Sequence, residues 1–143
     1  MNVLFDTSVL VPALVDQLAN HPICFEALLT YTSEDHSCYC STHALAECYS
    51  VLTALPLRRR IIPKEAQQLV QESVIGRLGV VDLDSGDYHR ALALVADRGL
   101  TSGVVYDALH LVAARKAGCT RILTYNLSHF TAFGAEEIVV TSP

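Results

Sequence analysis

Short apolar runs alternate along this chain with longer stretches in which apolar residues recur every three or four positions. The short runs predict strands over residues 3–5, 79–81, 121–124 and 138–140, and the alternating stretch 37–41, bounded by polar residues, predicts another. Strands that alternate with helices predict a parallel sheet with right-handed crossovers and helices on both faces. We therefore expect an open α/β/α sandwich of about five mostly parallel strands, formed as a single domain over residues 1–143.

Six helices are predicted between these strands from capping residues, early prolines and closing glycines. Thr7 or Ser8 is expected to cap the first helix and Thr42 the third, while Pro22 and Pro63 are expected near the starts of the second and fourth. The fifth and sixth helices are expected over residues 85–97 and 104–117. Asp84 is the expected cap of the fifth helix, with Asp87 as an acidic residue of its first turn. Gly118 follows the sixth helix and is expected to close it.

The composition argues against a disordered protein and against a large basic or aromatic surface for nucleic acid. Hydrophobic residues make up 51% of the chain and charged residues 17%, which argues against disorder. The net charge of −5 excludes a large basic footprint for nucleic acid, but it leaves room for a local basic patch. Tryptophan is absent and aromatic residues make up 7%, so we expect no platform of aromatic side chains for stacking bases.

The sequence also indicates where the protein functions. Acidic residues interrupt every apolar run well before the ~20 residues that a membrane span needs. The N-terminal residues lack the basic start of a signal peptide, and the five cysteines include no C-x-x-C pair. Reduced thiols and a cytoplasmic location are therefore expected.

Candidate chemistry lies just beyond the predicted strands, where ligands bind in open parallel sheets. Asp6 directly follows the first strand and Asn126 follows the fourth. Asp107 lies in the first turn of the sixth helix, and Glu47 lies within the third. If these four side chains converge, their oxygen atoms suit Mg²⁺ or Mn²⁺, and a cation would relieve the repulsion between the carboxylates.

Each of these residues also has an ordinary structural explanation. Asp6 could serve only as a helix N-cap, and Asp107 only as an acidic residue that stabilises the helix dipole. Glu47 could pair with His43, four residues earlier on the same helix. Asn126 could be a turn residue.

Four segments together resemble the PIN-domain family, most closely its VapC-type toxin endoribonucleases of type II toxin–antitoxin systems. The segments are Phe5-Asp6-Thr7-Ser8, Ala46-Glu47, Tyr106-Asp107-Ala108 and Leu123-Thr124-Tyr125-Asn126-Leu127-Ser128-His129-Phe130. The resemblance extends over the whole chain and implies a PIN-like α/β/α sandwich. It also implies a Mg²⁺-dependent endoribonuclease that hydrolyses phosphodiester bonds of single-stranded or loop RNA.

The resemblance implies a role for each matched residue. Asp6, Glu47 and Asp107 match three acidic residues that bind Mg²⁺ or Mn²⁺ in the family and act in catalysis. Asn126 takes a fourth catalytic position that is often aspartate. Asparagine in place of aspartate removes one negative charge from the site, so the sequence leaves open whether one metal ion binds or two.

Neighbouring residues are expected to support this site. The hydroxyl groups of Ser8 and Thr124 could orient the carboxylates, or they could have only capping and turn roles. Arg58, Arg59 and Arg60 form the only run of three basic residues, and we expect them to contact RNA phosphates. A solvated loop, or a contact for an acidic segment of a partner, would explain the same run.

The family resemblance implies two partners besides RNA, namely a cognate antitoxin protein and a second copy of the chain in a homodimer. The alternative function is a non-catalytic PIN-like binding module in which the acidic residues only cap helices. A receiver-type phosphoacceptor domain is a poor match, because it needs a lysine after a late strand. Both lysines, Lys64 and Lys116, lie in predicted helices.

Overall fold

The computed structural model describes residues 1–33 and 35–143, and these residues form five parallel strands with helices on both faces of the sheet. The strands are β1 (Asn2–Phe5), β2 (Ser37–Ser41), β3 (Gly79–Val81), β4 (Arg121–Leu123) and β5 (Val139–Thr141). Their order across the sheet is β3-β2-β1-β4-β5. The predicted fold class is therefore confirmed.

Seven α-helices surround the sheet in the described residues. They are α1 (Thr7–Leu14), α2 (His21–Ser33), α3 (Thr42–Ala54), α4 (Pro63–Leu69), α5 (Ser85–Asp97), α6 (Val104–Lys116) and α7 (Leu127–Ala132). A π-helical stretch, Val70–Ile75, continues α4. No helix in this described part of the chain has the length and apolar character needed to cross a membrane.

The sheet separates two apolar cores, and successive residues of β1 enter opposite ones. Val3 and Phe5 pack on the side of α1 to α4, whereas Leu4 packs on the side of α5 and α6. Burial on both faces explains why β1 is a short continuous apolar run rather than an alternating one. The five cysteines are buried free thiols.

Strand order reverses at β1, which lies between β2 and β4. The chain first adds β2 and β3 on one side and then crosses back to add β4 and β5 on the other. The ends of β1 and β4 meet where the backbone N–H of Asp6 donates to the carbonyl of Leu123 at 3.0 Å. This crevice at the carboxyl ends is where open α/β sheets bind ligands.

The first helix has a different cap from the one predicted. Asp6, rather than Thr7 or Ser8, is the N-cap of α1, and its side chain accepts a hydrogen bond from the backbone N–H of Thr7. Asp6 has the extended backbone of a cap residue, whereas Thr7 and Ser8 are already helical. Asp6 therefore does serve as a helix N-cap, as its ordinary structural explanation proposed.

The third helix is likewise capped one residue earlier than predicted. The hydroxyl of Ser41 accepts a hydrogen bond from the N–H of Ala44 at 3.1 Å, so Ser41 is the N-cap and Thr42 is the first helical residue. The hydroxyl of Thr42 instead accepts a hydrogen bond from the N–H of Leu83. It therefore connects α3 to the segment after β3.

The glycine closure of α6 is confirmed. Gly118 adopts a left-handed backbone with φ of 64°, which glycine tolerates best. Its N–H donates to the carbonyl of Arg115 at 3.1 Å, and the N–H of Cys119 donates to the carbonyl of Ala114 at 2.8 Å. This Schellman motif ends the helix that carries Asp107 and leads the chain into β4.

Candidate active site

Asp6 lies at the carboxyl end of β1 and is only 1% exposed. Its Oδ1 accepts a hydrogen bond from the N–H of Thr7 at 2.8 Å. Its Oδ2 accepts hydrogen bonds from the hydroxyls of Ser8 at 2.7 Å and Thr124 at 2.6 Å. Residues from α1 and from the end of β4 therefore hold this carboxylate in one orientation.

Glu47, on α3, is brought next to Asp6 by a histidine. Nε2 of His110 lies 2.9 Å from Oε1 of Glu47 and 3.4 Å from Oδ1 of Asp6. Two carboxylates from distant parts of the sequence thus contact the same ring nitrogen. The convergence expected for Asp6 and Glu47 is present in the structure.

His110 itself was not among the predicted site residues. It is fully buried on α6, and its other ring nitrogen, Nδ1, lies 2.9 Å from the hydroxyl of Ser41. Burial alone would lower its pKa, but the hydrogen bond to Glu47 and the charge of Asp6 outweigh burial and raise it. One signal was available in the sequence: the histidine follows Asp107 by three residues and so shares its helix face.

Glu47 is an ionised carboxylate at neutral pH. Burial favours its neutral form, but the hydrogen bond from His110 and the nearby His43 hold the pKa of Glu47 at about 2. Nε2 of His43 lies 3.1 Å from Oε1 of Glu47, so the pair suggested as an ordinary explanation does exist. Both histidines contact Oε1, and neither of these contacts involves Oε2.

Asp107 completes the acidic group from the first turn of α6, where it is 5% exposed. Its Oδ1 accepts a hydrogen bond from Nδ2 of Asn126 at 3.3 Å, and its Oδ2 contacts Nδ1 of His129. The N–H of Asn126 also donates to the hydroxyl of Thr124 at 2.9 Å, and that hydroxyl bonds Asp6. A continuous hydrogen-bond network therefore connects Asp107 to Asp6.

The surroundings of Asp107 disfavour its charged form. Burial raises the pKa of Asp107, and the negative charge of Asp6 raises it further, against the hydrogen bonds from His129 and Asn126. The network opens onto a cleft of about 330 Å³. The cleft is lined by Asp6, Thr7, Ser8, Val11, Pro12, Glu47, Val51 and Asn126.

The donor set suits a divalent cation that prefers oxygen. Two carboxylates and one amide line the cleft, and a third carboxylate, Asp107, is hydrogen-bonded to that amide. A cation would favour the charged form of Asp107, which burial and the charge of Asp6 disfavour. Within residues 1–33 and 35–143, however, no three His, Cys, Asp or Glu side chains are already arranged as a ligand set. The contacts explain this, since protein donors occupy both oxygens of Asp6 and His110 lies against Asp6 and Glu47.

The three arginines lie apart from this network. Arg58, Arg59 and Arg60 are exposed on the loop between α3 and α4. The guanidinium of Arg59 pairs with the carboxylate of Glu65 at 2.9 Å. The backbone carbonyl of Arg59 accepts a hydrogen bond from the side chain of Gln17. The structure thus leaves a basic, solvated loop beside the α1–α2 connection.

Comparisons with known proteins identify the family of this chain. The PIN-domain family model matches residues 3–133. Ribonuclease VapC27 of Mycobacterium tuberculosis is 37% identical over 109 residues, which cover 76% of this chain and 74% of the relative. Ribonuclease VapC40 of the same species is 32% identical over 122 residues, which cover 85% and 84% of the two chains.

Solved structures show the same fold. The crystal structure of VapC20 from Mycobacterium tuberculosis, a toxin that cleaves the sarcin–ricin loop, superposes with a TM-score of 0.71 at 17% identity. That match covers 91% of this chain and 94% of the toxin. VapBC2 from Rickettsia felis, bound to promoter DNA, superposes with a TM-score of 0.66 at 18% identity, covering 98% and 97% of the chains. With the family model and the ribonuclease relatives, these matches show that the chain belongs to the PIN-domain family, in the group that contains the VapC ribonucleases.

Proposed function

We propose that this protein is a metal-dependent endoribonuclease that hydrolyses phosphodiester bonds in single-stranded or loop RNA. The observation that carries the proposal is the convergence of Asp6, Glu47, Asp107 and Asn126 on one hydrogen-bonded network at the strand-order reversal. These residues come from four separate parts of the chain, and helix capping alone does not require them to meet. The ribonuclease relatives point to the same chemistry.

Asp6, Glu47 and Asp107 would hold Mg²⁺ or Mn²⁺. When bound, such a cation supplies an activated water and stabilises charge on the phosphate. The low pKa of Glu47 suits a ligand or an orienting group better than a proton carrier, because catalytic bases work best with a pKa near the operating pH. Ser8 and Thr124 fix the rotamer of Asp6, and the amide of Asn126 positions a water molecule or a phosphate oxygen.

RNA binding must overcome the net charge of −5. Arg58, Arg59 and Arg60 would contact phosphates outside the cleft, since their exposed loop contains the longest run of basic residues in the sequence. Because arginine contacts to phosphates release counterions, RNA binding through this loop should weaken as the salt concentration rises.

We further propose that the protein is the toxin of a toxin–antitoxin pair, functions in the cytoplasm as a homodimer, and is inhibited by a cognate antitoxin. Structural neighbours include VapBC complexes from Rickettsia felis and Haemophilus influenzae, the latter with a TM-score of 0.67 at 12% identity. These neighbours support an antitoxin as the partner class.

Metal removal tests the nuclease proposal. Purified protein incubated with total RNA should cut it when Mg²⁺ or Mn²⁺ is present, and EDTA should abolish cutting because the carboxylates alone cannot activate water. Gel analysis of the RNA measures both results. Cutting that persists in EDTA would contradict metal dependence, and no cutting with any divalent metal would favour the non-catalytic binding module.

A further inference from the structure

Tyr106 is a large aromatic residue that the structure leaves exposed directly beside the acidic group. It is 49% exposed, whereas the next residue, Asp107, is almost fully buried. Consecutive helical residues point about 100° apart, so the first turn of α6 presents Asp107 to the network and Tyr106 to solvent. An exposed ring at this position has no role in the packing of either core.

The ring of Tyr106 is held by a stack. It lies against the ring of His43 with centroids 4.9 Å apart and planes only 15° from parallel. His43 in turn contacts Glu47 and lies beside His110, with ring centroids 6.0 Å apart. One face of Tyr106 is therefore covered and fixed, and a series of contacts connects it to the carboxylate of Glu47.

A second cleft, of about 310 Å³, lies at this stack. It is lined by His43, Ala46, Glu47, Ser50, Val51 and Tyr106. Glu47 and Val51 also line the cleft that contains Asp6, so the two clefts share a wall. A nucleic acid strand with its phosphate near the carboxylates would place a neighbouring base within reach of the tyrosine.

We propose that Tyr106, supported by His43, stacks on one unpaired nucleobase of the RNA next to the phosphate that is cut. This inference rests on the proposed function and identifies a substrate-binding residue for it. Single-stranded RNA suits such a site because its unstacked bases can lie on aromatic rings, and stacking tolerates any base. A single ring provides this contact without the aromatic platform that the composition excludes.

The test combines a tyrosine variant with an abasic substrate. Binding of short single-stranded RNAs is measured by fluorescence anisotropy in EDTA, and cleavage kinetics are measured with Mg²⁺. Tyr106→Ala should raise Kd and KM roughly tenfold, as expected for the loss of one base stack, with kcat within about twofold. Tyr106→Phe keeps the ring and should behave like the parent protein, and so should Tyr88→Ala, whose tyrosine is similarly exposed on α5.

Abasic RNAs show whether the lost contact is stacking. Removing the base at one position should weaken binding of the parent protein by the same factor, but it should not weaken binding of Tyr106→Ala further. If the parent protein cuts RNA and Tyr106→Ala binds and cuts equally well, the stacking proposal is wrong and the nuclease proposal stands. An equal abasic penalty in both proteins also overturns it, and a parent protein that neither binds nor cuts RNA overturns both proposals.

Discussion

His110 carries the contacts that keep Glu47 beside Asp6. Its ring is fully buried, with Ser41 at one nitrogen and the two carboxylates at the other. Hydrogen bonds inside a protein are electrostatically stronger than in water, so the ring strongly favours the charged form of Glu47. His110 thus contributes to both the position and the ionisation of a candidate ligand, with His43 as a second contributor to its ionisation.

Replacing His110 should raise the pKa of Glu47. In His110→Ala the burial of Glu47 persists while its strongest hydrogen bond is lost, so the pKa should rise well above about 2. Carbon-detected NMR titration of the glutamate carboxyl groups in metal-free protein measures this. His110→Gln retains an N–H donor and should give a smaller increase.

The matched control for this change is His89→Ala, an exposed histidine on α5. It should leave the titration of Glu47 unaltered. If the pKa of Glu47 stays near 2 in a folded His110→Ala protein, His110 is not the group that lowers it. His43 alone would then keep Glu47 ionised.

At the scale of elements, Asp87 connects the two helices on one face of the sheet. The sequence predicted Asp84 as the cap of α5 and Asp87 as a first-turn acid, and the structure shows that the two form a reciprocal capping box. Asp87 is also fully buried and accepts hydrogen bonds from Lys116 of α6 at 2.7 Å and from Arg90. This ion pair fixes the end of the helix whose first turn carries Asp107.

The ion pair should make stability depend on pH in a defined direction. The hydrogen bonds from Lys116 and from the backbone of Asp84 hold the pKa of Asp87 well below its ordinary value of 3.8. A group with a lowered pKa contributes stability above its unfolded value, and the contribution is lost as pH falls through the folded value. Asp87→Asn should therefore be less stable than the parent at pH 7, with a difference that shrinks below about pH 4.

Urea unfolding followed by circular dichroism between pH 7 and pH 3 measures that difference. Asp97→Asn, an exposed change at the end of the same helix, should match the parent protein throughout. If the stability difference between Asp87→Asn and the parent protein is the same at every pH, the charge of Asp87 does not contribute to stability. Asp87 would then act through packing and hydrogen bonds alone.

Elements were predictable where local chemistry determines them. The bounds of β2, β3 and α5 agree with the prediction, while β4 is one residue shorter and β5 lies one residue later. The short helix α7 was not predicted, because six residues are too few for a helical repeat to be visible. The choice between Ser41 and Thr42 as a cap depends on backbone angles that two adjacent hydroxyl residues do not reveal.

At the scale of the whole molecule, the order of the strands creates the site. Parallel strands and residues placed just after them were enough to predict that Asp6 and Asn126 share one edge of the sheet. The order β3-β2-β1-β4-β5 depends on long-range pairing, which local patterns do not encode. His110 was missed because its neighbours Leu109 and Leu111 indicate a buried helix, and its contacts with Asp6 and Glu47 depend on long-range packing.

The most direct test of the account is single-turnover cleavage of one RNA by three separate variants, Asp6→Asn, Glu47→Gln and Asp107→Asn. If the three carboxylates serve one site, each variant should remain folded and lose at least about a hundredfold in rate. Asp97→Asn makes the same change of charge away from the site and should cut at the parental rate. Parental activity in any one of the three variants would contradict the claim that these carboxylates form a shared catalytic site.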